Sequence, residues 1–256
     1  MNTISTLLAS ASVLLAAGLP ATAPAADSAK ITVVLIHGAF ADGSSWNRVI
    51  PLLQARGLEV VAVQNPLSSL ADDAAAASRA IEQAPGPVVL VGHSWGGAVI
   101  SQAGANSKVK SLVYVAAFAL DKGESVSDLL RQGPPPPWAA ALRRDSAGFL
   151  TLPAKNVAQD FAQDLPVAES ALIAASQGPW AERCQTDVLT AGAWHEKPSW
   201  YLIAESDRMI DPAAQRAMAA RIGAQVTRVK SSHVPMLSQP AQVADVILAA
   251  AGKAGT

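Results

Sequence analysis

The chain has 256 residues, half of them hydrophobic, with 19 basic and 20 acidic side chains and a formal net charge of −1. That length fits one domain, or one domain with an insertion, and allows a large core. The balanced charge offers no electrostatic footprint for nucleic acid and no polybasic run for an anionic membrane surface, while a lone cysteine, Cys184, excludes an internal disulfide and a cysteine-based metal site.

Positions 7–19 are apolar or small, too short a stretch for a spanning helix, which needs roughly 20 residues. Ala23-Pro24-Ala25 then supplies an A-x-A cleavage pattern. Residues 1–26 therefore read as a secretory signal peptide, although no Lys or Arg precedes Lys30. The expectation is a mature chain that starts near Ala26, lies in the periplasm or outside the cell, and keeps no stable membrane anchor. A retained arm on a cytoplasmic chain is the alternative.

From Lys30 onward strands and helices alternate. Residues 31–36 form a continuous run rich in β-branched side chains, the pattern of a strand buried on both faces. Trp46, Val49, Ile50 and Leu53 have helical spacing that ends near Gly57, and residues 60–63 form the next strand. Ser69-Leu70-Ala71-Asp72 resembles a capping box and opens an alanine-rich helix to Ala84. A strand at 88–91 leads into a helix from Ser94 to about Gly104, and a further strand occupies 112–115. The rhythm breaks at Asp121: residues 121–197 hold prolines 134–137, several short helical stretches, and Trp138, Trp180 and Trp194. A buried strand returns at 200–204, followed by a helix from Pro212 with Asp211 as N-cap. A last strand at 226–229 and a final helix with Val243, Val246, Ile247 and Ala250 on one face complete the chain. Six core strands alternating with helices imply βαβ units and a mostly parallel α/β sheet, interrupted by one insertion after the fourth strand.

Gly92-His93-Ser94-Trp95-Gly96 sits between a strand and a helix, the context of a G-x-S-x-G nucleophile elbow. The sharp turn strains the backbone at Ser94 and exposes its hydroxyl, the glycines clear space where strand and helix come closest, and the helix N-terminus offers free N–H groups. A serine hydroxyl needs a base, and there are four histidines to choose from. His93 points away from its neighbour Ser94 and packs under the elbow. His37, in His37-Gly38 after the first strand, supports its loop. His195, beside Glu196 in the insertion, is a surface residue or a substrate contact. His233 follows the last strand, in a loop that can reach Ser94, and is the candidate general base and acid. A base needs an orienting carboxylate. Asp207, central in the loop after the 200–204 strand, is the choice; Glu205 and Asp121 are its rivals, and Asp211 is better explained as a helix cap.

The order Ser94, Asp207, His233 and the first-loop motif Leu35-Ile36-His37-Gly38-Ala39-Phe40 carry a resemblance. From Ile31 to the C-terminus the chain resembles the α/β-hydrolases, without the first strands of larger members. The segment His37-Gly38-Ala39…Ser45-Trp46 is similar to the compact methylesterase and hydroxynitrile lyase branch, and to many bacterial hydrolases. The resemblance implies a core of residues 27–120 and 198–256 with helices on both faces, and a helical cap, or lid, at 121–197. It also implies an oxyanion hole built from the backbone N–H of Trp95 and of Ala39, with Phe40 as the alternative.

Serine at the elbow argues against dehalogenase and epoxide hydrolase chemistry, for which the family uses aspartate. Members of the lyase branch carry lysine beside the catalytic histidine, whereas Val234 follows His233 here. No histidine or cysteine cluster, phosphate loop or dinucleotide fingerprint is present, so no metal or other cofactor is expected. The expected function is a carboxylesterase-type hydrolase that cleaves a small to medium, largely uncharged carboxylic ester through an acyl-enzyme. Lactonase, thioesterase, amidase or perhydrolase chemistry shares the same triad, and a non-catalytic binding module is the alternative of another class. Phe40, Trp138, Trp180 and Trp194, with Trp95 and Phe149, are candidate pocket residues. The expected partner is a small-molecule ester, with the chain a monomer or homodimer.

Overall fold

The structure, a computed structural model, describes residues 30–254; the expected signal segment lies outside the described residues. The first β-branched run forms β1 (Thr32–Ile36), whose five side chains are all buried. After it come α1 (Ile50–Gln54), β2 (Glu59–Val63), α2 (Leu70–Gln83), β3 (Val88–His93), α3 (Gly96–Ala103) and β4 (Val109–Val115). Ser69 caps α2, its side chain accepting from the Asp72 N–H. β4 begins three residues before its apolar run, because exposed Lys110 and the hydroxyl of Ser111 mask the strand pattern there.

The insertion contributes α4 (Val126–Leu130), β5 (Arg143–Arg144), β6 (Phe149–Thr151), α5 (Ala154–Asn156), α6 (Val167–Ser176) and β7 (Trp180–Ala181). β5, β6 and β7 pair antiparallel into a small second sheet. Strands of two or three residues carry no readable period, so the sequence suggests only helices there. The core resumes with β8 (Ser199–Ala204), α7 (Pro212–Arg221), β9 (Gln225–Val229), α8 (Pro235–Ser238) and α9 (Pro240–Ala254). Asp211 caps α7 by accepting from the Ala213 N–H at 2.7 Å, and Pro212 occupies its first turn.

The main sheet has six strands in the order β2-β1-β3-β4-β8-β9, every pair parallel. This is an α/β-hydrolase fold. Helices α2 and α3 pack together over β1 and β3, while α9 packs on β3, β4 and β8 and meets α1. Central strands β3 and β8 are buried along their whole length, whereas edge strand β2 exposes alternate residues and edge strand β9 exposes Gln225, Val226 and Arg228. Chain order reverses at β1, and ligands of open parallel sheets bind beyond the carboxyl ends of the strands near such a reversal. The loops that leave β1, β3, β8 and β9 all emerge at that end.

Candidate active site

The strand-to-helix turn after β3 holds Ser94 at φ +52°, the left-handed region that costs a non-glycine residue energy. Neighbouring backbone bonds hold it there: Ser94 N–H donates to Val115 O at 3.3 Å, and Ser94 O accepts from Gly97 and Phe118 N–H at 3.0 and 3.1 Å. The glycines are required by contact. A Cβ on Gly92 would lie 2.4 Å from Gly96 O, and one on Gly96 would lie 2.6 Å from Ile36 O.

The structure brings Ser94, His233 and Asp207 together. Ser94 Oγ donates to His233 Nε2 at 2.8 Å, and His233 Nδ1–H donates to Asp207 Oδ2 at 2.7 Å. All three residues are buried. The loop after β8 folds around the carboxylate, so that Asp207 Oδ1 accepts from the Met209 and Ile210 N–H groups at 2.7 and 3.1 Å. Gln215, fully buried on α7, donates to Asp207 Oδ2 at 2.7 Å and to Ile210 O at 2.8 Å, and accepts from Ala204 N–H at 3.0 Å. The rival carboxylates are engaged elsewhere. Glu205 meets Arg216 and Arg228, and Asp121 meets His195 at 2.9 Å on the surface.

His93 and His37 support the two loops. His93 Nε2–H donates to the backbone O of His233 at 2.8 Å, tying the turn after β3 to the loop that carries His233. Complete burial, and then the nearby His233, hold the pKa of His93 well below the ordinary histidine value. His37 Nε2 accepts from Asn65 N–H at 2.9 Å, which requires a neutral ring, and burial lowers its pKa in agreement. Asn65 Nδ2–H returns a bond to His37 O at 2.9 Å, fixing the loop after β1.

A cavity of about 20 Å³ adjoins Ser94 and His233, room for about one water molecule. Ala39, Phe40, Trp95, Trp138 and Trp180 are among its walls. None of the described residues pairs with the backbone N–H of Ala39, Phe40 or Trp95. Phe40 sits at φ +57°, so the loop after β1 also holds a left-handed non-glycine residue beside Ser94. Phe118, Leu130, Met209 and Ile210 line both this space and a second cavity of about 780 Å³, whose walls include prolines 134–137.

Trp194 does not line the site, contrary to expectation. Its Nε1–H donates to Leu120 O at 3.0 Å and its ring stacks on His195 at 3.7 Å, which holds it where the insertion leaves the core. Phe149, half-buried in β6, is also outside the cavity walls. Sequence reasoning missed Phe118, Phe161, Met209 and Ile210 as walls and Gln215 as the residue that holds Asp207. The signal for Gln215 was faint: a lone polar residue in the alanine-rich Pro212-Ala213-Ala214-Gln215 turn reads as solvent-facing. Among the described residues, no group of three or more His, Cys, Asp and Glu side chains could hold a metal ion. Cys184 is buried, which pushes its thiol pKa up.

A family model described as "Alpha/beta hydrolase family" matches residues 33–246. The chain belongs to the alpha/beta hydrolase family. An alpha/beta hydrolase of Aspergillus novofumigatus, nvfD, is 30% identical over 249 residues, covering 88% of this chain and 98% of that one. A pyrethroid hydrolase of Sphingobium wenxiniae is 29% identical over 252 residues, covering 84% of this chain and 85% of that one. The crystal structure of polyneuridine aldehyde esterase superposes with a TM-score of 0.76 at 20% identity, over 86% of this chain and 98% of that one, a likeness of fold.

Proposed function

We propose that the enzyme hydrolyses a small to medium, largely uncharged carboxylic ester through a Ser94–His233–Asp207 triad. The observation that carries this reading is the unbroken hydrogen-bond chain from Ser94 Oγ through both nitrogens of His233 to Asp207, at 2.8 and 2.7 Å. Ser94 Oγ attacks the ester carbonyl carbon while His233 Nε2 takes its proton. Asp207 holds the Nδ1–H tautomer and stabilises the imidazolium as it forms. The carbonyl oxygen, now negative, is held by the N–H of Trp95 together with that of Ala39 or Phe40, all buried and all without a competing partner among the described residues. His233 then gives its proton to the leaving alkoxide, which departs as the alcohol. Water, deprotonated by His233, attacks the acyl-enzyme; the acid leaves and Ser94 regains its proton.

The apolar walls around Ser94 support an uncharged substrate, because a charge there would lose its hydration without a counter-ion. Purified enzyme is to be assayed with p-nitrophenyl acetate, butyrate and octanoate beside Ser94→Ala. Turnover of the short esters, reduced at least about a thousandfold in the variant, is the expected result; unchanged turnover in Ser94→Ala refutes the mechanism. A covalent fluorophosphonate adduct on Ser94, read by peptide mass, separates a hydrolase from a binding module. Residues 1–26 are proposed to direct export with cleavage near Ala26, and an intact Met1 on exported protein overturns that.

A further inference from the structure

Three indoles line the cavity beside Ser94: Trp95, Trp138 and Trp180. Two have their N–H groups engaged. Trp95 Nε1–H donates to Asp73 Oδ2 at 2.7 Å, and Trp138 Nε1–H donates to Met209 O at 3.0 Å. The Nε1–H of Trp180 is buried and has no partner among the described residues, in a residue that is only 3% exposed. Apart from Ser94 and His233, the side chains around this space are apolar or are the two engaged indoles. A buried donor left without an acceptor costs roughly 1–3 kcal/mol, and buried polar groups are otherwise almost always paired.

Trp180 is also held in place. Its ring makes an edge contact with Phe40 at 5.8 Å and 83°, and a tilted contact with Trp95 at 5.6 Å. Its backbone pairs with Leu150 in the small sheet. The ring is therefore fixed against Phe40 and Trp95, which line the same space as Ser94, with its own donor unused. Fixed, desolvated donors of this kind discriminate strongly, because a ligand without the matching acceptor leaves them unpaired.

We propose that Trp180 recognises substrate by donating its indole N–H to a second acceptor oxygen, an ether, keto or hydroxyl oxygen near the scissile carbonyl. This rests on the ester-hydrolase reading above and narrows its substrate class to oxygenated esters. The oxygen sits on the acyl side, the side that stays bound to Ser94 in the acyl-enzyme and so gains from a contact in both half-reactions.

The test uses isosteres. p-Nitrophenyl methoxyacetate and p-nitrophenyl butyrate differ by one oxygen in place of a methylene, and 2-methoxyethyl acetate and n-butyl acetate form the matching alcohol-side pair. In Trp180→Phe, which keeps a ring and removes the donor, the fall in kcat/KM for the methoxyacetate should exceed that for the butyrate by about tenfold, the effect of one hydrogen bond. The alcohol-side pair should show no such difference. In the wild-type enzyme alone, the methoxyacetate-to-butyrate ratio of kcat/KM should exceed the ratio of the two esters' alkaline hydrolysis rates by a similar factor. Equal losses for methoxyacetate and butyrate overturn the proposal and assign the N–H to the ring faces of Phe40 or Trp95. A selective loss confined to the alcohol-side pair overturns the acyl-side placement, and a wild-type ratio no greater than the chemical one overturns it without any variant. Failure of the ester-hydrolase reading is seen separately, as butyrate turnover that survives Ser94→Ala.

Discussion

Asp73 lets the pH dependence of folding be used as a probe of the site's supporting layer. It lies on α2, fully buried, with Oδ1 accepting from Leu67 N–H at 2.8 Å and Oδ2 accepting from Trp95 Nε1–H at 2.7 Å. Burial raises its pKa from 3.8 to about 6, an effect those two hydrogen bonds only partly offset. Its titratable neighbours are exposed Asp72, which its serine contacts hold below the usual carboxylate range, and Cys184, whose thiol is pushed up by burial. Because the folded pKa lies above the unfolded one, the folded chain takes up a proton between pH about 6 and about 4 that the unfolded chain does not. Stability from this group therefore increases as pH falls through that window, and ionised Asp73 is a cost above it. The shift of about two units corresponds to roughly 3 kcal/mol in full, of which about 2 kcal/mol should appear between about pH 7 and about pH 4.5.

The perturbation is Asp73→Asn, which keeps the shape and removes the charge. An amide can accept from only one of the two N–H groups that now meet the carboxylate, so the variant's absolute stability is not the readout; its pH slope is. Urea unfolding of both proteins at about pH 7 and about pH 4.5 should move the stability difference by about 2 kcal/mol in favour of wild type on acidification. Parallel pH dependences would refute the argument, since they would mean that Asp73 is already protonated at neutral pH or that water reaches it in the folded state.

Other variants test the geometry directly. Gly92→Ala places a Cβ 2.4 Å from Gly96 O, so the elbow must open; a loss of about 3 kcal/mol or failure to fold is expected in urea titration, and a wild-type midpoint contradicts it. Gln215→Leu leaves the Ala204 N–H and Ile210 C=O without their partners and removes one donor from Asp207. It should cost about 2 kcal/mol or more and lower kcat with KM nearly constant, whereas a change in KM alone would speak against a role through Asp207. Arg48→Ala removes an exposed ion pair to Glu169 on α6 and should shift stability by less than about 1 kcal/mol, as read by the thermal midpoint.

What the sequence revealed and what it hid divide by the range of the interactions involved. The core strands were readable because a β-branched run announces its own burial, and the elbow because glycine, serine and glycine fall within five residues between a strand and a helix. The placement of His233 beside Ser94 was readable because four histidines make a short list and only His233 follows the last strand. The tryptophans had no such local marker. Trp180 and Trp194 look alike in sequence, both in the insertion and both beside small or polar neighbours. Trp180 reaches the cavity because β7 pairs with β6, and Trp194 is drawn away because Leu120 O accepts from its indole. Gln215 is hidden for the same reason, since the buried face of α7 is decided by where β8 delivers Asp207. The chemistry thus lies in local signals, whereas the cavity wall is assembled from non-local pairings, and the substrate's shape is set by the second kind. Under the proposed function, a search for substrate therefore begins from the unengaged donor of Trp180 rather than from Ser94, His233 and Asp207, whose proposed roles any ester would satisfy equally.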